Sequence, residues 1–182
     1  MFNVIPTSIP DLIIIEPKLF KDSRGFFVEL FNRQKFDDLG LGHLNFVQDN
    51  LSSSQKGILR GLHFQFPPYA QGKLVTALQG IVLDVAVDLR KNSPTYGKHE
   101  TFLLEADKLR FLYVPEGFAH GFQVVSDTCL FYYKCTNLYH AESDAGLKWD
   151  DPDLGIKWEE IPPILSAKDE KQPAFAGFQS PF

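Results

Sequence analysis

Between Leu59 and Val75, in LRGLHFQFPPYAQGKLV, an imidazole and two cations stand among apolar neighbours. Arg60, His63 and Lys73 are interleaved with Leu59, Leu62, Phe64 and Leu74, which are residues suited to strands lining a core. Charged groups in that setting are either costly accidents or the wall of a pocket. A neutral imidazole, with an ordinary pKa of about 6.5, can remove a proton from the carbon beside a carbonyl at neutral pH. An ammonium can hold the enolate oxygen that results. A phenol such as Tyr133 can return a proton from the opposite side. On residue type alone, His63 could equally be a metal ligand or a hydrogen-bonded core histidine. Lys73 could be a surface lysine with a buried stem.

Strands have to position these groups. Leu12–Ile15 is a β-branched run between Pro10 and Pro17, Asp22–Gly25 is turn chemistry, and Phe26–Leu30 reads as a second strand. Asn32 can cap a short helix through Phe36 and Leu39, stopped by Gly40 and Gly42. Phe46–Asn50 reads as a strand and the serine-rich Ser52–Gly57 as a loop. From Gly57 onward strand follows strand, with turns at Pro67-Pro68, Gly80, Asn92-Ser93-Pro94 and Glu116-Gly117, and one helical turn at Glu105–Leu109. This spacing predicts an all-β antiparallel sandwich or barrel. After Trp149 the chain is rich in Pro and Asp. Its tail is expected to cross the barrel mouth, with Trp149 and Trp158 as packing and Gln172–Phe182 irregular.

Alternation places the side chains. Val82, Asp84, Ala86 and Asp88 share one face of their strand, and Cys129, Phe131, Tyr133 and Cys135 share one face of theirs, with Tyr132 and Lys134 opposite. Strict alternation would put Arg60 and His63 on opposite faces. If both line one pocket, a β-bulge is needed, and Gly61 is the place for it.

The 182 residues, 44% hydrophobic and 23% charged, suit one domain with a sizeable core. A net charge of −5 argues against a nucleic-acid surface. Cys129 and Cys135 are the only cysteines and form neither a CxxC pair nor a zinc spacing, so they are expected to stay reduced in the cytoplasm. The opening MFNVIPTSIPDLIII lacks a basic n-region and a long apolar h-region, which predicts no signal peptide. No apolar run approaches the roughly 20 residues of a membrane span. There is no GxSxG elbow and no Gly-rich phosphate loop.

Val114–Gly121, VPEGFAHG, resembles the PxGxxH turn of the cupin barrels, a jelly-roll or double-stranded β-helix family. Metal-binding cupins supply an HxH pair, a carboxylate and a third histidine. Here His63 is followed by Phe64-Gln65, and Lys73 stands in the carboxylate slot. A cation there repels a divalent ion, so no metal is expected.

The resemblance sharpens along the whole chain. DSRGFFVE (22–29), FVQDN (46–50), LRGLHFQ (59–65), QGKLV (71–75), DVAVDLRKNSPTYG (84–97), VPEGFAHGF (114–122), YKCTNLY (133–139) and LSAKD (165–169) are similar, in this order, to the dTDP-4-dehydrorhamnose 3,5-epimerase family. The resemblance implies His63 as proton acceptor, Asp169 as its carboxylate partner, Tyr133 as proton donor and Lys73 facing the C4 oxygen. Arg24, Phe26, Glu29, Gln48, Asp49, Asn50, Arg60, His120, Asp144 and Lys168 match positions that bind the nucleotide sugar. Arg24 and Arg60 suit the diphosphate, and Tyr139 matches an aromatic that stacks on thymine. Asp84 is an alternative orienter of His63. Asp144 stands where the family commonly has glutamate, and Tyr132, where an apolar residue is common, is expected to reshape the pocket edge.

The resemblance further implies a metal-free, cofactor-free enzyme with a small-molecule substrate, a dTDP-4-keto-6-deoxyhexose, and no nucleic-acid or membrane partner. It implies a homodimer in which N-terminal strands are exchanged, with Ile13–Ile15 and Phe26–Leu30 as candidates. Residues 1–50 would serve the dimer, 51–148 form the barrel and 149–182 the tail of one epimerase domain. The rival readings are an epimerase acting at C3 or C5 only and a sugar-binding cupin without activity.

Overall fold

The computed structural model describes residues 1–182, and its patterned strands form two facing antiparallel sheets. In chain order the strands are β1 (Phe2–Pro6), β2 (Ile13–Pro17), β3 (Leu19–Asp22), β4 (Gly25–Val28), β5 (Gln48–Gln55), β6 (Leu59–Gln65), β7 (Lys73–Gln79), β8 (Ile81–Asp88), β9 (His99–Glu105), β10 (Phe111–Val114), β11 (Phe118–Val124), β12 (Thr128–Cys135) and β13 (Asp144–Gly146). One sheet runs β1-β2-β10-β7-β12-β5, the other β13-β6-β11-β8-β9, and β3-β4 is a separate hairpin. The two larger sheets make the jelly-roll barrel of the cupins.

Apolar residues of both inner faces meet in the barrel core, including Val75, Leu112 and Phe131 from one sheet and Val82, Ala86 and Phe122 from the other. Both outer faces are covered as well. The single helix α1 (Arg33–Asp38), capped by Asn32 accepting from the Lys35 amide, lays Phe36 on one of them beside Phe2, Ile15 and Phe111. The tail lays Leu154, Trp158, Phe175, Phe178 and Phe182 on the other, against Phe64, Val85 and Val87. The aromatic part of the tail therefore packs on a sheet face, and only its 164–169 stretch reaches the cavity beside Arg60, His63 and Tyr133. The wholly apolar second face of β8 is the sequence trace of that cover.

Other expectations are corrected. The serines expected in a loop continue β5 as far as Gln55, because each is paired with β12, from Ser52 opposite Phe131 to Ser54 opposite Cys129. The helical turn expected at Glu105–Leu109 is present as a single turn, closed by the Lys108 and Leu109 amides on the Glu105 carbonyl. Strands β1 and β3 had no sequence signal strong enough to be read. Ile13–Ile15 is flanked within its own chain by β1 and β10, and the β3–β4 hairpin stands apart from both large sheets. No helix is long and apolar enough to cross a membrane.

Candidate active site

The bulge expected at Gly61 is present. His63 pairs with His120 and Arg60 with Phe122, so Gly61 and Leu62 stand opposite the single residue Gly121. Gly61 has φ +143°, and a Cβ on it would lie 2.6 Å from the Gly121 Cα. The bulge thus requires glycine at both positions. It turns Arg60 and His63 toward one cavity of about 110 Å³, shared with Ser52, Lys73, His120, Phe122, Phe131 and Tyr133.

His63 Nε2 lies 2.5 Å from Asp169 Oδ1. The tail delivers this carboxylate. Ile164 is bound to β6 through the Leu59 amide, and a 3-10 turn, Asp169–Lys171, follows at once. Ser166 Oγ donates to Asp169 Oδ2 at 2.7 Å and accepts from the Asp169 amide. Burial alone would raise the Asp169 pKa. The hydrogen bonds from His63 and Ser166 outweigh it and hold the carboxyl below its usual range. An ionised carboxylate on Nε2 leaves Nδ1 of a neutral His63 as the free basic nitrogen.

The wall opposite is built by β7 and β12, where Lys73 pairs with Cys135 and Val75 with Tyr133. Lys73 makes no ion pair, and burial pushes its pKa down. Tyr133 is half-buried, and burial pushes its phenol up, which keeps it protonated at neutral pH. Arg60 leans on Ser54 Oγ at 3.2 Å. Asp84 does not orient His63. Both of its oxygens bind His120 Nε2, at 3.0 and 2.9 Å, deep in the barrel wall.

A second depression opens from His63, Lys73 and Tyr133 toward Gln48, Asn50, Tyr139 and Asp144. The Tyr139 amide donates to Gln48 Oε1 at 2.8 Å, and its hydroxyl donates to Asp144 Oδ2 at 3.0 Å. Lys168 pairs with the same Asp144 oxygen at 2.5 Å. The shorter aspartate therefore still reaches both neighbours.

Several expected residues lie elsewhere. Asp49 sits between two pocket-facing residues of a regular strand and so points the other way, to Lys134 Nζ at 2.6 Å and the Tyr132 hydroxyl at 3.1 Å. The same alternation turns Tyr132 off the pocket edge. Arg24 and Phe26 lie on the exposed β3–β4 hairpin, Arg24 paired with Asp22, and Glu29 pairs with Lys35 at 2.6 Å. None of these three lines the cavities around His63. Sequence reasoning missed Ser52, Ser166 and Gln65. Gln65, two residues after His63, holds the Tyr69 and Leu138 carbonyls and the His140 amide. Period-2 spacing from Gln48 would have found Ser52.

The donors here do not suit a metal ion. Lys73 occupies a ligand slot, the Gln65 amide is committed to backbone, and His120 Nε2 is taken by Asp84. No three His, Cys, Asp or Glu side chains converge.

Residues 6–177 match the family model described as dTDP-4-dehydrorhamnose 3,5-epimerase. The enzyme of that name from Shigella flexneri is 53% identical over 167 residues, 92% of either chain. The crystal structure of the enzyme from Elizabethkingia anophelis NUHP1 superposes with a TM-score of 0.89 at 51% identity, over 96% of this chain and 97% of that one. The crystal structure of dTDP-6-deoxy-D-glucose-3,5-epimerase from Legionella pneumophila Philadelphia 1, in complex with dTDP-4-keto-L-rhamnose, gives a TM-score of 0.93 at 46% identity, covering 98% and 95%.

Proposed function

The chain belongs to the dTDP-4-dehydrorhamnose 3,5-epimerase family, and on that premise we propose a mechanism carried by this chain's own residues. The enzyme is an epimerase that converts dTDP-4-dehydro-6-deoxy-D-glucose to dTDP-4-dehydro-L-rhamnose. The observation that carries the mechanism is the convergence of His63, Lys73 and Tyr133 on one cavity, with Asp169 behind the histidine.

Neutral His63 takes the proton from the carbon beside the C4 ketone, and the C–H electron pair moves to form the enolate. The Lys73 ammonium faces the oxygen where the charge gathers. Its attraction is strengthened by the partial burial of the lysine in the cavity wall. Asp169 holds the His63 tautomer and supports the imidazolium. Tyr133 gives its phenolic proton to the opposite face of the same carbon, which inverts the centre. Proton exchange with solvent then restores His63 and Tyr133. The sequence runs once at C3 and once at C5, with no metal and no organic cofactor.

Gln48, Asn50 and Tyr139 receive the nucleoside, Arg60 and His120 meet the diphosphate-sugar portion, and Asp144 with Lys168 closes that side. The protein acts as a cytoplasmic homodimer, its cysteines buried and unpaired. Arg24, Phe26 and Glu29 then serve the site of the neighbouring subunit through the exposed hairpin. This accounts for their distance from His63 within one chain. All 182 residues make one epimerase domain.

Turnover in deuterium oxide tests the reaction. Label at both C3 and C5 is expected, and label at only one carbon would reduce the enzyme to a single-site epimerase. A His63→Ala variant is expected to bind dTDP within twofold of wild type and to lose roughly 10²–10⁴-fold in kcat. Undiminished turnover would remove His63 from the mechanism and leave a sugar-binding cupin as the better reading. The dimer has its own test. Mixed His63→Ala and Arg24→Ala subunits should recover activity that neither variant has alone, because one site in each hybrid is intact. No recovery would place the hairpin's role within its own chain.

A further inference from the structure

The serine-rich stretch Ser52–Ser54 has no part in the mechanism above, yet it forms one end of a polar rail. Gln48, Asn50, Ser52 and Ser54 alternate along β5 and share a face. Gln48 and Asn50 line the nucleoside side, Ser54 Oγ carries Arg60, and Ser52 lines the inner cavity with His63, Lys73 and Tyr133. Ser52 Oγ is buried without a hydrogen-bond partner, the only side-chain nitrogen or oxygen in the molecule in that state. A buried hydroxyl left unpaired loses its bonds to water and gains none in return. Such a group inside a reaction cavity points to a ligand that completes it.

We propose that Ser52 is a specificity-determining residue that hydrogen-bonds a ring hydroxyl of the hexose. Position and chemistry both favour this partner. Ser52 lies four residues beyond Gln48, about 14 Å along the strand, and lines the cavity that holds the base and the acid, one two-residue step from Asn50, the partner of Tyr133. A hydroxyl donates and accepts one bond each way, which matches a neutral hydroxyl better than a diphosphate, the task of arginine and lysine. The ketone oxygen already faces Lys73, and C6 carries no oxygen. The partner is therefore the hydroxyl on C2 or C3.

This rests on the epimerase reading, and one set of measurements separates the two. Wild type and Ser52→Ala are compared on dTDP-4-dehydro-6-deoxy-D-glucose and on its 2-deoxy and 3-deoxy analogues, by deuterium exchange at C5, together with dTDP binding. Ser52→Ala is expected to lower kcat/KM on the full substrate roughly 3- to 30-fold. It should leave dTDP affinity within twofold and melting temperature unchanged or raised. The deficit should vanish on the one analogue that lacks the bonded hydroxyl. Equal kcat/KM for the two proteins, an undiminished deficit on both analogues, or a parallel loss of dTDP affinity and melting temperature would each overturn the Ser52 assignment alone. A wild type without turnover would overturn the epimerase reading and the Ser52 assignment with it.

Discussion

Two histidine–carboxylate pairs stand next to each other across the β6–β11 ladder, His63 opposite His120. Each uses Nε2 against an aspartate, but they are assembled differently. Asp169 reaches His63 from 106 residues away on the tail, takes a second hydrogen bond from Ser166, and leaves the imidazole 30% exposed. Asp84 meets His120 from the adjacent strand β8, has no other side-chain donor, and the two side chains are 0% and 8% exposed. A base must exchange protons with water between turnovers, and the partly exposed imidazole of the first pair is the one open to it. The second pair is fixed in the barrel wall, where it can shape and polarise the cavity. The pairing chemistry is shared. What differs is where each carboxylate comes from.

The sharpest way to break this contrast is Asp169→Asn. Loss of the tautomer and of support for the imidazolium should lower kcat by up to about 10⁴-fold while the protein still folds and binds dTDP. If kcat falls less than about tenfold, His63 does not depend on its tail-borne partner. Tyr133 lines the cavity with both histidines and separates abstraction from inversion. Tyr133→Phe should cut net epimerisation by roughly 10²–10³-fold while His63 still removes and returns protons, so solvent exchange persists with retained configuration. Loss of exchange together with inversion would move Tyr133 into the abstraction step. Asp84→Ala should act mainly on the fold. Breaking a fully buried pair is expected to cost about 3 kcal/mol of unfolding free energy, read from denaturant midpoints, with a smaller effect on turnover per folded molecule. A stable Asp84→Ala protein with kcat as low as Asp169→Asn would erase the distinction between the pairs.

The same two pairs show what sequence can and cannot carry. An antiparallel sandwich or barrel was legible because turns punctuate alternating strands at regular intervals after Gly57, and its jelly-roll form only through the resemblance of Val114–Gly121 to the cupin turn. The Gly61 bulge was legible because two side chains of one function had to share a face. Asp169 was reachable only through family resemblance, since nothing local ties residue 169 to residue 63. Asp84 stood only as an alternative to Asp169, because alternation gives the face but not which histidine of that face the carboxylate meets. Asp49 was assigned to the site as part of a contiguous motif, although a strand turns every second residue away. Ser52–Gly57 was read as a loop from the turn preference of serine, which cross-strand pairing with β12 overrode. The hairpin residues Arg24 and Phe26 have no task visible within one chain, and the proposal above gives them one at the site of a second subunit.

The smallest effect concerns acid stability. His63 and Ser166 hold the Asp169 carboxyl below its ordinary value against the opposing pull of burial. A carboxyl depressed in the folded state stabilises the fold fully above its unfolded pKa, about 3.9, and that contribution is lost as pH falls through the folded value. Denaturant midpoints of wild type and Asp169→Asn, followed from about pH 6 to pH 3, should therefore converge as pH drops below about 4. The asparagine has no proton to gain there, so only wild type loses this contribution. A gap that stays constant over that range would mean that Asp169 does not hold its charge through His63 and Ser166. The tail would then be anchored by its aromatic cover on β6, β8 and β11 rather than by the base it serves.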